Sequence, residues 1–497
     1  MGDVGRFERI LGSLHDLDLE RAAERRGSVL EVGDGVARVL GLSRVGAEEL
    51  VTFDSGALGF AYELAPDFTG VVLIRGADGV RAGEGAEPAG DLPTIPTGRE
   101  LLGRVVDPLG DPLDDGAAPA GERRPVFRDA PSLTERAPVR RPLLTGVMSI
   151  DAAIPIGRGQ RQLVVGDRNV GKTAIALDAI AAAARCEVAC VYVALGQPIS
   201  RILGVRESLR AAGALANTVV VAADAAAPPG LQYLAPYAGM TVAESFRDAG
   251  KDALIVFDDL TKHADAYREL SLLLGRPPGR EAFPGDIFYV HAQLLERSTA
   301  LSEGAGGGSL TALPIIETTE GDISSYLPTN LISITDGQVY LDAGLFERNL
   351  RPAIDVARSV SRVGGAAQPA ILRIASLNLR IQWSRLESLE ALTRVGLEVD
   401  PATRTAVERG RVVRELLRQP RYTFRSIGSQ IVALTAVSRG WLDGLDPEDA
   451  AALAWSAVSA ARAEMPAEMR ALDDGRALED AWTEGLAAIV HRLRTAT

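Results

Sequence analysis

From Gly27 to about Pro93 the apolar positions fall in short bursts separated by turns rich in Gly and Asp. The bursts are Val29–Val32, Val36–Val39, Leu50–Phe53 and Val71–Ile74, and short strands punctuated in this way predict a small barrel or sandwich. Ahead of them, Val4, Phe7, Leu11, Leu14 and Leu17 recur at helical spacing and predict an amphipathic arm, which either docks on a partner or folds back on its own domain. Pro93, Pro96, Pro108, Pro112, Pro119 and Pro125 mark a loop-rich connector. Between residues 140 and 365 strand-like and helix-like segments alternate, which predicts an α/β domain with a largely parallel sheet. From about Ile371 turns thin out and helical periodicity takes over, through Leu372, Leu379, Trp383, Leu386 and Leu389, then Leu416, Leu417, Ile431 and Leu434.

One segment of the α/β region carries recognisable chemistry. Gly166-Asp167-Arg168-Asn169-Val170-Gly171-Lys172-Thr173 fits the G-x-x-x-x-G-K-[ST] phosphate loop. Its surroundings agree: Leu163-Val164-Val165 reads as a buried strand, and Thr173 to Ala184 reads as an Ala-rich helix. Gly166 and Gly171 permit a tight turn that converges successive N–H groups on one space. Lys172 brings a cation to the β- and γ-phosphates, and the Thr173 hydroxyl is suited to Mg²⁺. The following helix adds partial positive charge at its N-terminus. Together these features predict a nucleoside triphosphate site.

Two further strand ends belong to the same chemistry. Ala253-Leu254-Ile255-Val256-Phe257-Asp258-Asp259 is an apolar strand ending in carboxylates, as an Mg²⁺–nucleotide site requires. Asp258 is assigned to the metal, acting through water, and Asp259 is a candidate cap for the next helix. The strand after the phosphate-loop helix, Val188 to Leu195, has Gly196-Gln197 at its tip. A Gln there has no proton affinity to act as a base, but it can orient water, so Gln197 does not by itself prove inactivity.

Composition narrows the setting. A chain of 497 residues with 46% apolar and 24% charged positions is expected to form two to four globular domains. It contains no run of eighteen apolar residues, and its first residues lack a basic region followed by an apolar core, so neither a membrane span nor a signal peptide is expected. A net charge of −13 argues against nucleic acid as the main partner. Cys186 and Cys190 read as small core residues, and the four histidines are too scattered to suggest a metal cluster.

The phosphate loop, Ile156-Gly157-Arg158-Gly159-Gln160-Arg161 and Arg276 to Asp286 resemble the hexamer subunits of rotary F-type ATP synthases. So do Gly306 to Pro314 and Pro328 to Gln338, and the resemblance runs from about Gly27 to beyond Gly440. Gly196-Gln197 resembles the alpha subunit, whereas the catalytic beta subunit has Gly-Glu-Arg there. Ser359-Val360-Ser361-Arg362-Val363-Gly364-Gly365-Ala366-Ala367-Gln368 resembles the alpha subunit's arginine-finger segment.

The resemblance implies a multidomain α/β fold, with an N-terminal amphipathic arm over 1–26, a β-barrel over 27–94, a P-loop nucleotide-binding domain over 95–370 and a helical domain over 371–497. It implies a non-catalytic subunit that binds ATP and Mg²⁺ persistently and has little turnover alone. Arg362, with Ser359 and Ser333 shaping the same surface, would complete the catalytic site of an adjacent beta subunit. A planar guanidinium fork suits a γ-phosphate, and such a group supplied from a neighbour is worth orders of magnitude in rate. Arg351, Pro352 and Gln419 would surround the adenine. Implied partners are beta in an alternating hexamer, a central-stalk gamma subunit and peripheral-stalk subunits. The location would be the cytoplasmic side of the inner membrane, with membrane contact only through the ion-translocating sector.

The chain also departs from the alpha pattern. Asn169 and Val170 replace the usual Gln and Thr of the loop, Arg421 stands where many alphas have Gln, and Ala391 to Glu398 lacks the usual Phe/Gln-rich sequence. These changes imply a divergent branch, for which an alternate, sodium-translocating synthase is one candidate. Two competing readings are an autonomous hexameric ATPase, such as a secretion motor or nucleic-acid translocase, and a scaffold without nucleotide affinity. Gln197 and the acidic charge disfavour the first; Lys172, Thr173 and Asp258 disfavour the second.

Overall fold

The computed structural model describes residues 26–377, 379–383, 386, 401–476 and 481–496. Val4 to Leu17, Leu389 and the 391–398 stretch lie outside the described residues.

The first domain is a closed barrel built from β1 (Gly27–Gly33), β2 (Val36–Leu40), β3 (Leu50–Phe53), β4 (Leu58–Leu64), β5 (Thr69–Arg75) and β6 (Gly85–Pro88). Its order is β1-β2-β5-β4-β3-β6, so no long sheet edge is left to pair with another chain. The alternation along β5 explains how the barrel is attached. Val71 and Leu73 fill the barrel interior with Val29, Val39 and Val51, whereas Val72 and Ile74 point the other way, into the core of the next domain.

The connector contributes β7 (Thr94–Thr97), β8 (Val105–Val106) and β9 (Glu122–Pro125), and then β10 (Pro142–Leu143) and β11 (Ile156–Gly157) form a small ribbon. The central domain adds β12 (Leu163–Asp167), β13 (Ala189–Gln197), β14 (Thr218–Asp224), β15 (Asp252–Asp258), β16 (Ser309–Thr318), β17 (Gly337–Leu341) and β18 (Val360–Ser361). The eight-stranded sheet runs β18-β17-β12-β16-β15-β13-β14-β8. Every pairing in it is parallel except β17 with β18. The inner strands are continuous apolar runs because helices cover both faces. These helices include α1 (Lys172–Arg185), α2 (Ile199–Ala211), α3 (Pro229–Asp248), α4 (Leu260–Leu273) and α5 (Tyr326–Ile334). On one face, Tyr233 of α3 stacks near Phe60 of the barrel, with ring centroids 6.4 Å apart.

A buried ion pair ties the connector to this domain. Arg297 is fully buried and donates to both carboxylate oxygens of Glu244 at 3.0 and 2.6 Å, and to the Val126 carbonyl at 2.8 Å. The C-terminal domain is helical, with α6 (Pro401–Leu417), α7 (Ile427–Ser438), α8 (Pro447–Glu464), α9 (Pro466–Asp473) and α10 (Ala481–Ala496). α7 is apolar and buried on almost all sides, which fits its place at the centre of the helical layer. One core is continuous between the helical domain and the face of the sheet that carries α1.

The cysteines correct one expectation. Cys190 is buried in β13, but Cys186 is exposed; it sits just beyond α1, where the chain turns towards the next strand.

Candidate nucleotide site

The phosphate loop joins β12 to α1, at the C-terminal edge of the parallel sheet. Gly166 is required by space: a Cβ there would lie 2.6 Å from the Leu341 carbonyl. Gly171 has φ 104° and Asn169 has φ 65°, the left-handed region that Asn tolerates better than most residues. Val170 is buried in the core, so its apolar side chain anchors the loop from below. Asp167 accepts from Thr318 Oγ1 at 2.6 Å and from the Gly321 amide at 2.8 Å, fixing the loop to the end of β16.

Around the loop, side chains from three strands converge. Lys172 Nζ donates to the carbonyls of Gly166 at 2.9 Å and Asp167 at 2.6 Å, and lies 3.6 Å from Glu317. Burial pushes its ammonium pKa down, against the opposing charges of Glu317, Asp259 and Asp258. Thr173 Oγ1 donates to Asp258 Oδ2 at 2.7 Å, and the same oxygen accepts from Tyr192 at 2.5 Å. Of the two adjacent aspartates, Asp258 faces the loop. Asp259 caps α4 by accepting from the Lys262 amide at 3.1 Å. Burial, followed by the charges of Asp258 and Glu317, raises its pKa to about 6. At the tip of β13, Gln197 is buried and its Nε2 donates to the Asp258 carbonyl at 2.8 Å.

The donor set suits Mg²⁺ bound together with phosphates. A hydroxyl and a carboxylate in contact are hard oxygen donors, and such ions take most of their remaining ligands from phosphate and water. Among the described residues no cluster of three or more His, Cys, Asp or Glu forms a protein-only cage. Thr173 and Asp258 would hold the ion.

Two cavities meet at Gly171. One, of about 210 Å³, is polar and is lined by Asn169, Lys172, Thr173, Arg201, Asp258 and Glu317. The other, of about 160 Å³, is mainly apolar and includes Val170, Ile175, Leu341, Phe346, Pro352 and Arg421. A polar compartment beside an apolar slot matches a polyphosphate joined to a flat base. Arg351 lines the slot with its guanidinium 4.4 Å from the Phe346 ring centroid. Gln419 also lines it, yet its carboxamide is committed to the backbone: it accepts from the Met148 amide at 3.1 Å and donates to the carbonyls of Gly146 and Thr423. It therefore clamps the helical domain to the nucleotide domain beside the slot.

Arg362, Ser359 and Ser333 line neither cavity. They cluster at the β18 edge of the sheet. The backbone of Arg362 is held rigidly, its amide donating to the Asp336 carbonyl at 2.7 Å. Its guanidinium is exposed, reaches the Ile332 carbonyl at 3.3 Å, and has no carboxylate partner among the described residues. Ser333 is exposed beside it. Ser359 is fully buried, donating to the Asp355 carbonyl at 2.6 Å and accepting from the Tyr340 amide at 2.9 Å. Its hydroxyl is thus engaged with the backbone of this edge.

Sequence reasoning missed Glu317, Arg201 and Phe346. Glu317 lies near the end of β16, beside β12, and Arg168 reaches it at 3.4 Å. The rule that ligands sit at the carboxyl ends of parallel strands could have flagged it. Nothing local distinguishes Arg201 or Phe346.

The barrel, the P-loop sheet and the helical domain, with a two-part cavity at the loop, define a P-loop nucleotide-binding protein. The chain belongs to the ATP synthase alpha/beta family: residues 23–90 match its β-barrel domain, 146–361 its nucleotide-binding domain and 368–493 its C-terminal domain. It is 49% identical over 473 residues to "ATP synthase subunit alpha 2" of Syntrophotalea carbinolica, covering 95% of this chain and 90% of that one. It is 52% identical over 420 residues to "ATP synthase subunit alpha 1" of Rhodopirellula baltica, covering 84% and 83%. "ATP synthase subunit alpha" of Aquifex aeolicus is 48% identical over 443 residues, covering 89% and 88%. Among the described residues no helix is long and apolar enough to cross a membrane.

Proposed function

We propose that this chain is the non-catalytic, nucleotide-binding alpha subunit of an ion-translocating rotary ATP synthase, holding Mg-ATP and lending Arg362 to the catalytic site of an adjacent beta subunit. The observation that carries this reading is the state of Gln197. The strand tip beside Asp258 bears an amide, whose Nε2 donates to the Asp258 carbonyl. A carboxamide cannot take a proton from water. The other carboxylates at the cavity are engaged: Asp258 by Thr173 and Tyr192, Glu317 by Lys172 and Arg168.

In this reading the loop amides and Lys172 bind the phosphates, the apolar slot takes the base, and Thr173 with Asp258 holds the metal. The ion neutralises phosphate charge when bound. Arg362 supports the second half of the proposal, because an exposed guanidinium just beyond the edge strand β18, without a carboxylate partner among the described residues, is available to a neighbour's phosphates. The alternating hexamer, the gamma and peripheral-stalk partners and a position on the cytoplasmic face of the membrane follow from the same reading. The coupling ion, proton or sodium, is chosen by the membrane sector.

The experiment is to purify the chain alone and with its beta partner, and to measure ATP binding and turnover. The isolated chain is expected to bind ATP with negligible turnover; rapid turnover would refute the reading. In the mixed complex Arg362→Ala should lower turnover by about 10³–10⁵-fold while ATP binding to this chain persists. Retained activity would refute the trans role.

A further inference from the structure

Arg201 lies in the first turn of α2, four residues after Gln197, and it lines the phosphate cavity. Its Nη2 donates to Thr173 Oγ1 at 3.0 Å. The guanidinium is exposed and has no ion pair among the described residues. Thr173 gives its single proton to Asp258, so Arg201 occupies a lone pair of the one oxygen suited to a metal. Four charged side chains line the cavity: Lys172 and Arg201 are positive, Asp258 and Glu317 negative. Without Arg201 the cavity would carry net negative charge, which repels a triphosphate unless a metal accompanies it. With Arg201 it is balanced. A divalent ion taken up by Thr173 would also stand beside the guanidinium, and like charges at that range repel.

We propose that Arg201 is a built-in cation for the terminal phosphate of the bound nucleotide, partly replacing Mg²⁺, so that this site holds ATP with a weak dependence on the metal. A guanidinium fork suits this role, since it can leave Thr173 and pair with two oxygens of one phosphate. The inference rests on the nucleotide-binding reading and adds to it a residue that sets metal dependence.

The test is equilibrium dialysis of ATP and ADP against the full-length chain, in Mg²⁺ and in EDTA, for wild type, Arg201→Gln, Arg201→Lys and Lys172→Ala. Being exposed, Arg201 contributes nothing to the core, so its variants are expected to fold. Wild type should lose less than about tenfold in ATP affinity when the metal is removed. Arg201→Gln should lose roughly tenfold to a hundredfold more, the worth of a hydrogen bond to a charged group. Arg201→Lys should fall between, because it keeps the charge and loses the fork. ADP should respond less than ATP. The same Mg²⁺-to-EDTA ratio in wild type and Arg201→Gln would overturn the proposal while leaving nucleotide binding intact. Lys172→Ala should lose ATP in both conditions. Failure of the wild-type chain to bind ATP even with Mg²⁺ would overturn the nucleotide reading, and this proposal with it.

Discussion

Replacing Gln197 by Glu would supply the missing carboxylate, and the local geometry predicts that it will not create an ATPase. Gln197 Nε2 donates to the Asp258 carbonyl at 2.8 Å from a buried position. An ionised carboxylate at this position would set an oxygen against that carbonyl, leave a buried acceptor unpaired at about 1–3 kcal/mol, and add a third negative charge beside Asp258 and Asp259. The group escapes by staying protonated and donating its proton to the carbonyl. Holding a Glu neutral to pH 7, against an ordinary pKa of about 4.3, costs up to about 4 kcal/mol. The sign follows: a carboxyl raised in the folded state costs nothing below its unfolded value and progressively more as pH rises towards the folded one. Q197E should therefore match wild type near pH 4 and lose about 2–4 kcal/mol by pH 8, a melting drop of roughly 2–7 °C for a unit of this size. Thermal melts of both proteins across that range, with ATP turnover of the isolated chain at pH 8, provide the assay. Equal melting at pH 8 together with new turnover would show that the strand tip accommodates a charged base and that the amide is not what silences the site.

Two further predictions concern the core. Asp151 is fully buried and accepts from the Thr145 and Gly146 amides, Thr145 Oγ1 and Gln430 Nε2, yet burial raises its pKa to about 6. Its folded pKa lies above the unfolded one, so wild type should lose up to about 3 kcal/mol as pH rises from about 4 to 6, a slope that Asp151→Asn should abolish in pH-dependent denaturation. Glu244→Gln leaves the Arg297 charge buried without its partner, and chemical denaturation should record a loss of about 3–5 kcal/mol; a loss below about 1 kcal/mol would mean that water reaches this pair.

Some of this protein is legible from residues near one another in the chain. The phosphate loop between a strand and a helix, the bursts of the barrel and the apolar strand ending at Asp258 all declare themselves within about ten residues, because loop chirality, strand alternation and helix capping are local sterics. The same local cues failed at Cys186, where an Ala/Val-rich context suggested the core but the chain turns outward past the helix end.

The residues that define the cavities come from far apart. Thr173 meets Asp258 across 85 positions and Arg168 meets Glu317 across 149, and only the sheet order β12-β16-β15-β13 brings those ends together. Arg201 looks in sequence like any exposed helical arginine, and it becomes a phosphate-cavity residue because α2 starts directly beyond the tip of β13. Ser359 resembles an interface serine by motif, but the fold buries it and engages its hydroxyl with the backbone. Local pattern thus determined the elements, the loop and the class of ligand. Tertiary structure decided which charges share a cavity and which polar groups remain free to act, since those depend on strand order and burial that no short window of sequence contains.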